Sequence, residues 1–157
     1  MRTTYRVLAY LIAVGVAVQA ATIAYALFGL GRWIQDGGVL DKATMESEGA
    51  GFDGVIGFAI HGINGEMVIP ALALILLVVS FFAKVPRGVM WAGVIVGLII
   101  VQVALGIVSS AVPGLGLLHG LNALLLFAAA IAATRLKDTG RHRREAAEPS
   151  SDRTSAV

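Results

Sequence analysis

The sequence predicts an all-α fold, an integral membrane four-helix bundle built from two repeated helical hairpins. Three observations lead there. Of the 157 residues 57% are hydrophobic and 14% charged, against about 25% charged in a soluble domain, so lipid is the main solvent of this chain. Four apolar runs, 7–30, 54–82, 89–112 and 117–136, have the roughly 20 helical residues that cross a bilayer core. Short polar motifs also recur. His61-Gly62-Ile63-Asn64 of the second run matches His119-Gly120-Leu121-Asn122 of the fourth, and Val18-Gln19-x-Ala21 of the first matches Val101-Gln102-x-Ala104 of the third.

The first run follows Arg2 and Arg6, and its Val18-Gln19-Ala20 has the form of a signal cleavage site. The apolar stretch continues through Tyr25, Phe28 and Leu30, past the h-region of a cleaved signal, so it reads as a retained helix. The loop 31–53 holds Asp36, Asp41, Glu46, Glu48 and Asp53 against only Arg32 and Lys42. The second run carries the first histidine motif, then Glu66 and Pro70. Pro70 cannot donate to the Glu66 carbonyl, which predicts a kink and an exposed carbonyl beside the acid. Lys84 and Arg87 mark the link to the third run, and Gly114-Leu115-Gly116, echoing Gly29-Leu30-Gly31, leads into the fourth. The glutamines lie 83 residues apart and the histidines 58, so the first hairpin is longer by 25 residues, about the size of the acidic loop. The tail 137–157 has charge, Pro and Ser but no apolar period, and reads as a disordered cytoplasmic end whose basic part meets anionic headgroups.

Ten of the 12 basic residues (Arg2, Arg6, Lys84, Arg87, Arg135, Lys137, Arg141, Arg143, Arg144 and Arg153) fall on one side of these runs. The positive-inside rule puts that side, with both termini, in the cytoplasm and the acidic loop outside. Tyr5, Tyr25, Trp33 and Trp91 fall near run ends, as interfacial anchors do. The absence of Cys excludes disulfides, thiolate metal sites, iron–sulfur clusters and Cys nucleophiles. No basic stripe exists for nucleic acid. Ser80, Ser109 and Ser110 have no His partner expected at the same depth, so hydrolytic catalysis is disfavoured.

Both even-numbered runs travel from outside to inside, with each His within the first two turns or so of its apolar segment. Two imidazoles therefore fall in the outer leaflet at similar depth, where ionisable groups are costly and mark sites. Each is the other's natural partner. Gly62 and Gly120, with Gly57, Gly65 and Gly116, offer surfaces without side chains, which a planar macrocycle between the rings would need. Asn64 and Asn122 lie three residues after each His on nearly the same face, able to bond a propionate, a water or the opposite helix. The competing account is ordinary membrane-helix glue, Gly for close approach and a polar group bonding across. Two imidazoles alone are short of a tetrahedral zinc site. Glu66, five residues past His61, lies about 140° around an α-helix from it. It is a candidate proton site, or a protonated acid bonded to Gln19 or Gln102.

With His61 and His119 near the outer ends of the second and fourth helices, the latter in Leu117-Leu118-His119-Gly120-Leu121-Asn122-Ala123-Leu124, the chain resembles one half of the haem A synthase architecture and, more loosely, b-type cytochrome bundles. It is also similar to short uncharacterised four-helix membrane proteins of high-GC Gram-positive bacteria. The haem A synthase resemblance implies one haem b held by His61 and His119 as iron ligands. The sequence departs from that family in having no Glu shortly before His61 and Gly62 directly after it, where the family has Arg. That departure bears on haem-modifying chemistry more than on haem. His142 lies in the tail, so one bis-His site is the most this chain builds, too few for a transmembrane haem wire. Three readings stand: a haem-b protein for redox or haem handling with a membrane partner, a cofactor-free assembly or interaction subunit, and a small proton-coupled transporter using Glu66.

Overall fold

The computed structural model describes residues 1–46 and 51–136. Over these the chain forms α1 (Arg2–Gln35), a short α2 (Lys42–Glu46), α3 (Ile56–Ile63), α4 (Ile69–Phe82), α5 (Gly88–Ser109) and α6 (Leu115–Thr134). A π-helical turn, Asn64–Val68, joins α3 to α4, making one span, Ile56–Phe82. The tail 137–157 and Glu48 of the acidic loop lie outside the described residues. Four helices, Arg2–Gln35, Ile56–Phe82, Gly88–Ser109 and Leu115–Thr134, are long and apolar enough to cross a membrane. Apolar side chains such as Phe28, Leu74, Phe81, Ile100 and Leu124 point outward from them. Helices satisfy their own backbone bonds, so such a surface is at home in lipid.

Around the bundle the spans neighbour one another in the order α1, α4, α5, α6, and α6 closes on α1. Short connections from α4 to α5 and from α5 to α6 make sequential helices antiparallel neighbours. The core is built from Tyr5, Leu8, Ile12 and Val16 of α1, Ile69, Ala73 and Leu76 of α4, Ala92, Ile95 and Ile99 of α5, and Leu126, Ala129, Ala130 and Ala133 of α6. These positions recur at intervals of three, four and seven, one stripe per helix, with Ala set against Leu and Ile so that helices approach closely. All lie in the first half of α1, in α5 no further than Ile99, and beyond the π turn or the middle of α6. The bundle is therefore close-packed at the end that holds Arg2 and Arg135. Tyr5 turns inward there and not toward headgroups. It is fully buried, and its hydroxyl donates to the Gly88 carbonyl at 3.1 Å, which makes the burial tolerable.

The opposite end is different. There α3 packs chiefly on α1. Gly54 has φ of +100°, and a Cβ on it would stand 2.7 Å from the Tyr25 carbonyl oxygen. Gly57 meets the Thr22 carbonyl in the same way. Trp33, Phe52 and Phe58 touch in series, the first pair tilted and the second edge-to-face, with ring centroids 5.9 and 6.3 Å apart, and hold the returning loop on α1. With α3 drawn onto α1, a cleft opens between it and α5 and α6. Gly29-Leu30-Gly31 lies inside α1, whereas Gly114-Leu115-Gly116 forms the turn into α6, so this pair of motifs does not correspond in space.

Candidate functional site

The cleft brings together the two histidines and the two glutamines. The His61 and His119 rings face each other with centroids 6.3 Å apart and planes 50° to one another. Nδ1 of His61 lies 3.1 Å from the Gln19 carbonyl oxygen, and Nδ1 of His119 lies 3.1 Å from the Gln102 carbonyl oxygen. A carbonyl only accepts, so each ring donates through Nδ1, and the neutral tautomer that does so has its lone pair on Nε2.

The asparagines complete two matching clusters. Asn64 donates through Nδ2 to the Gly15 carbonyl at 3.0 Å and to Gln19 Oε1 at 3.2 Å. Asn122 donates to the Leu98 carbonyl at 2.9 Å and to Gln102 Oε1 at 2.6 Å. In each cluster the odd-numbered span supplies a glutamine and the carbonyls of that glutamine and of the residue four before it, while its partner span supplies His and Asn three residues apart. One helical turn separates both pairs, so two bonds form at once without bending either helix. Both asparagine amides are thus engaged with the neighbouring helix, the last of the roles open to them. The clusters differ at one atom. Gln102 Nε2 also lies 3.1 Å from His119 Nε2, whereas His61 Nε2 has no hydrogen bond among the described residues.

Two cavities adjoin the ring pair, and both are lined by His61, His119, Gln19, Gln102 and Gly65. One, of about 260 Å³, adds Gly62, Glu66, Ser109 and Gly116. The other, of about 440 Å³, runs deeper toward the packed core and is walled by Ala17, Ala20, Ile23, Ile99, Ala123, Leu124 and Phe127, with Gly120. Gly62, Gly116 and Gly120 have nothing within 4 Å of an added Cβ, so bare backbone faces this space. Gly65 instead makes room for the Gln19 amide, and Gly106 for the His119 ring, whose Cε1 would lie 3.3 Å from a Cβ there.

Glu66 sits inside the π turn and lines the smaller cavity with both histidines. The α-helical separation of about 140° does not hold because a π turn advances fewer degrees per residue and swings the acid back toward the histidine side. In the same turn the Ile69 N–H bonds to the Asn64 carbonyl five residues back, so the disturbance ahead of Pro70 takes the form of a wider turn. Glu66 forms no hydrogen bond to Gln19 or Gln102, whose side-chain oxygens accept from Asn64 and Asn122. Ser109 also reaches the His119 cavity, though its hydroxyl donates to the Leu105 carbonyl at 2.5 Å. No group of three or more His, Asp or Glu that could hold a metal occurs among the described residues. The sequence marks Gln19 and Gln102 as a recurring motif and as partners for Glu66, not as partners of the histidines. Their position mid-span in otherwise apolar helices was the available sign of a site.

Fold and site together define a multi-pass helical membrane protein with a polar, histidine-bearing cleft in one half of its bundle. The model of a protein family of unknown function, DUF6220, matches residues 49–110. That stretch contains the second and third spans, with His61, Asn64, Glu66, Pro70 and Gln102, and leaves out Gln19 and His119. No curated protein and no solved structure matches the chain.

Proposed function

We propose that this chain is a membrane haem protein, in which His61 and His119 ligate one b-type haem for a one-electron step or for haem handling. The observation that carries the reading is the ring pair. A metal–imidazole bond of about 2.0–2.1 Å, with about 1.1 Å from nitrogen to ring centre, sets two axial rings roughly 6.3 Å apart, and the separation here is 6.3 Å. The residues fit the group in other respects. The Nδ1–H bonds to the Gln19 and Gln102 carbonyls hold the rings in the tautomer that ligates through Nε2 and raise its basicity, the usual outer-shell arrangement of ligating histidines. Gly62, Gly116 and Gly120 leave backbone bare where a flat macrocycle passes. Val16, Ile69 and Ile99 line the deeper part of the space with apolar side chains, and the shallower part is the more polar, as a molecule with one carboxylate edge requires. When bound, a bis-imidazole haem supplies a reversible one-electron couple, tuned by its ligands and burial.

The matching clusters support reading the bundle as two repeated hairpins. The split of basic residues supports cytoplasmic termini, with the cleft in the outer leaflet. A redox or assembly partner in the membrane would then meet the site from the outer side. The test is to express the chain with haem available and compare wild type, His61→Ala and His119→Ala by absorbance. A low-spin spectrum in wild type that is lost or turned high-spin in each variant supports the proposal. A colourless, folded wild type leaves the cofactor-free assembly subunit as the better reading, and proton-coupled uptake abolished by Glu66→Gln in such a protein would favour the transporter.

A further inference from the structure

We infer that Gln102 is a gate on the second ligand, holding His119 Nε2 closed until His61 has engaged, which makes the two histidines unequal. The inference rests on the haem reading and goes beyond it to the order of ligation. Its basis is a chain of forced assignments. Asn122 Nδ2 can only donate, so the Gln102 atom 2.6 Å from it is the oxygen, and the amide nitrogen is left to face His119. That nitrogen can only donate as well, so His119 Nε2 must accept, in agreement with Nδ1–H donation to the Gln102 carbonyl. One glutamine thereby occupies both ring nitrogens of His119. At the other ring Gln19 takes Nδ1 by its carbonyl and gives its side-chain oxygen to Asn64, but nothing among the described residues bonds His61 Nε2. An incoming metal meets an open lone pair on His61 and a blocked one on His119. Gln102 is therefore a positioning residue, and ligation at His119 requires its amide to turn aside.

Two measurements on the full chain in lipid nanodiscs test this. In the haem-free protein, nitrogen NMR of labelled histidine should find both rings protonated on Nδ1, with Nε2 hydrogen-bonded in His119 alone. A proton on His119 Nε2 would overturn the gate. On mixing with ferric haem, wild type should pass from a high-spin to a low-spin spectrum in a resolved second phase. Gln102→Leu should speed that phase about fivefold, the effect of removing one hydrogen bond worth around 1 kcal/mol. Tyr5→Phe, which loses a hydrogen bond in the packed half away from the cleft, should leave it unchanged. Low-spin formation in one step, or equal acceleration by Tyr5→Phe and Gln102→Leu, contradicts the gate while leaving the haem site standing. A wild type that takes up no haem overturns both.

Discussion

The two ends of the bundle are made of different materials. At the terminal end, Ala against Leu and Ile closes four helices around a dry core, with one buried hydroxyl satisfied by the Gly88 carbonyl. At the other end the large side chains give way to Gly, Gln, His and Asn, helix pairs are held by hydrogen bonds at fixed points, and open space remains between them. Dispersion rewards contact everywhere and so closes whatever it can. Directed hydrogen bonds hold helices at a set distance without filling the gap. A membrane bundle that needs both rigidity and a cleft can therefore divide the two tasks between its halves.

The comparison can be broken most forcefully in the packed half. Leu76→Ala removes a fully buried side chain from α4 and should cost about 2–5 kcal/mol of stability, read as a lowered unfolding midpoint in detergent with the cleft chemistry of the surviving fold unchanged. Tyr5→Phe leaves the ring and takes away only its bond to Gly88. About 1 kcal/mol is expected from the same unfolding assay.

The clusters should yield less. Interhelical hydrogen bonds in membranes are worth about 0.6 kcal/mol on average, and Asn122, buried and bonded at 2.9 and 2.6 Å, should exceed Asn64, half-buried and bonded at 3.0 and 3.2 Å. Asn122→Ala and Asn64→Ala in parallel test the order, and a larger loss from Asn64 would contradict it. Smallest of all is the stability effect of Gly120→Ala, since an added Cβ has nothing within 4 Å. The midpoint should hardly move. Gly120→Leu should be equally stable yet obstruct the deeper cavity, lowering haem uptake, and a variant that loads normally would show that the space is not used.

The spans were legible because twenty apolar residues in a row have few alternatives once lipid is the solvent, and helix ends differed from the reading by only a few residues outside α1, which runs on from Arg2 to Gln35. His61 and His119 stood out because imidazoles are rare at that depth and their tetrapeptide recurs. The partners were less legible. Val-Gln-x-Ala was visible as a recurrence, but a motif carries no distance, and nothing in it shows that Gln19 reaches His61 or Gln102 both nitrogens of His119. The π turn escaped as well. Pro70 announced a disturbed helix, yet whether the chain answers with a kink or a wider turn depends on how α3 is drawn onto α1, which Gly54, Gly57 and the Trp33 cluster decide from outside the segment. The place of Glu66 follows from that turn. Tyr5 looked like an anchor because position alone cannot tell an outward ring from one that finds a carbonyl inside.

The central claim is that two facing imidazoles in the open half share one iron. The most direct measurement is the haem content and absorbance of the purified wild-type chain after expression with haem supplied. The account predicts one haem b per chain with a low-spin, six-coordinate spectrum. A folded, monodisperse protein without haem, or one haem bound with a spectrum indifferent to His61→Ala and His119→Ala, would contradict it.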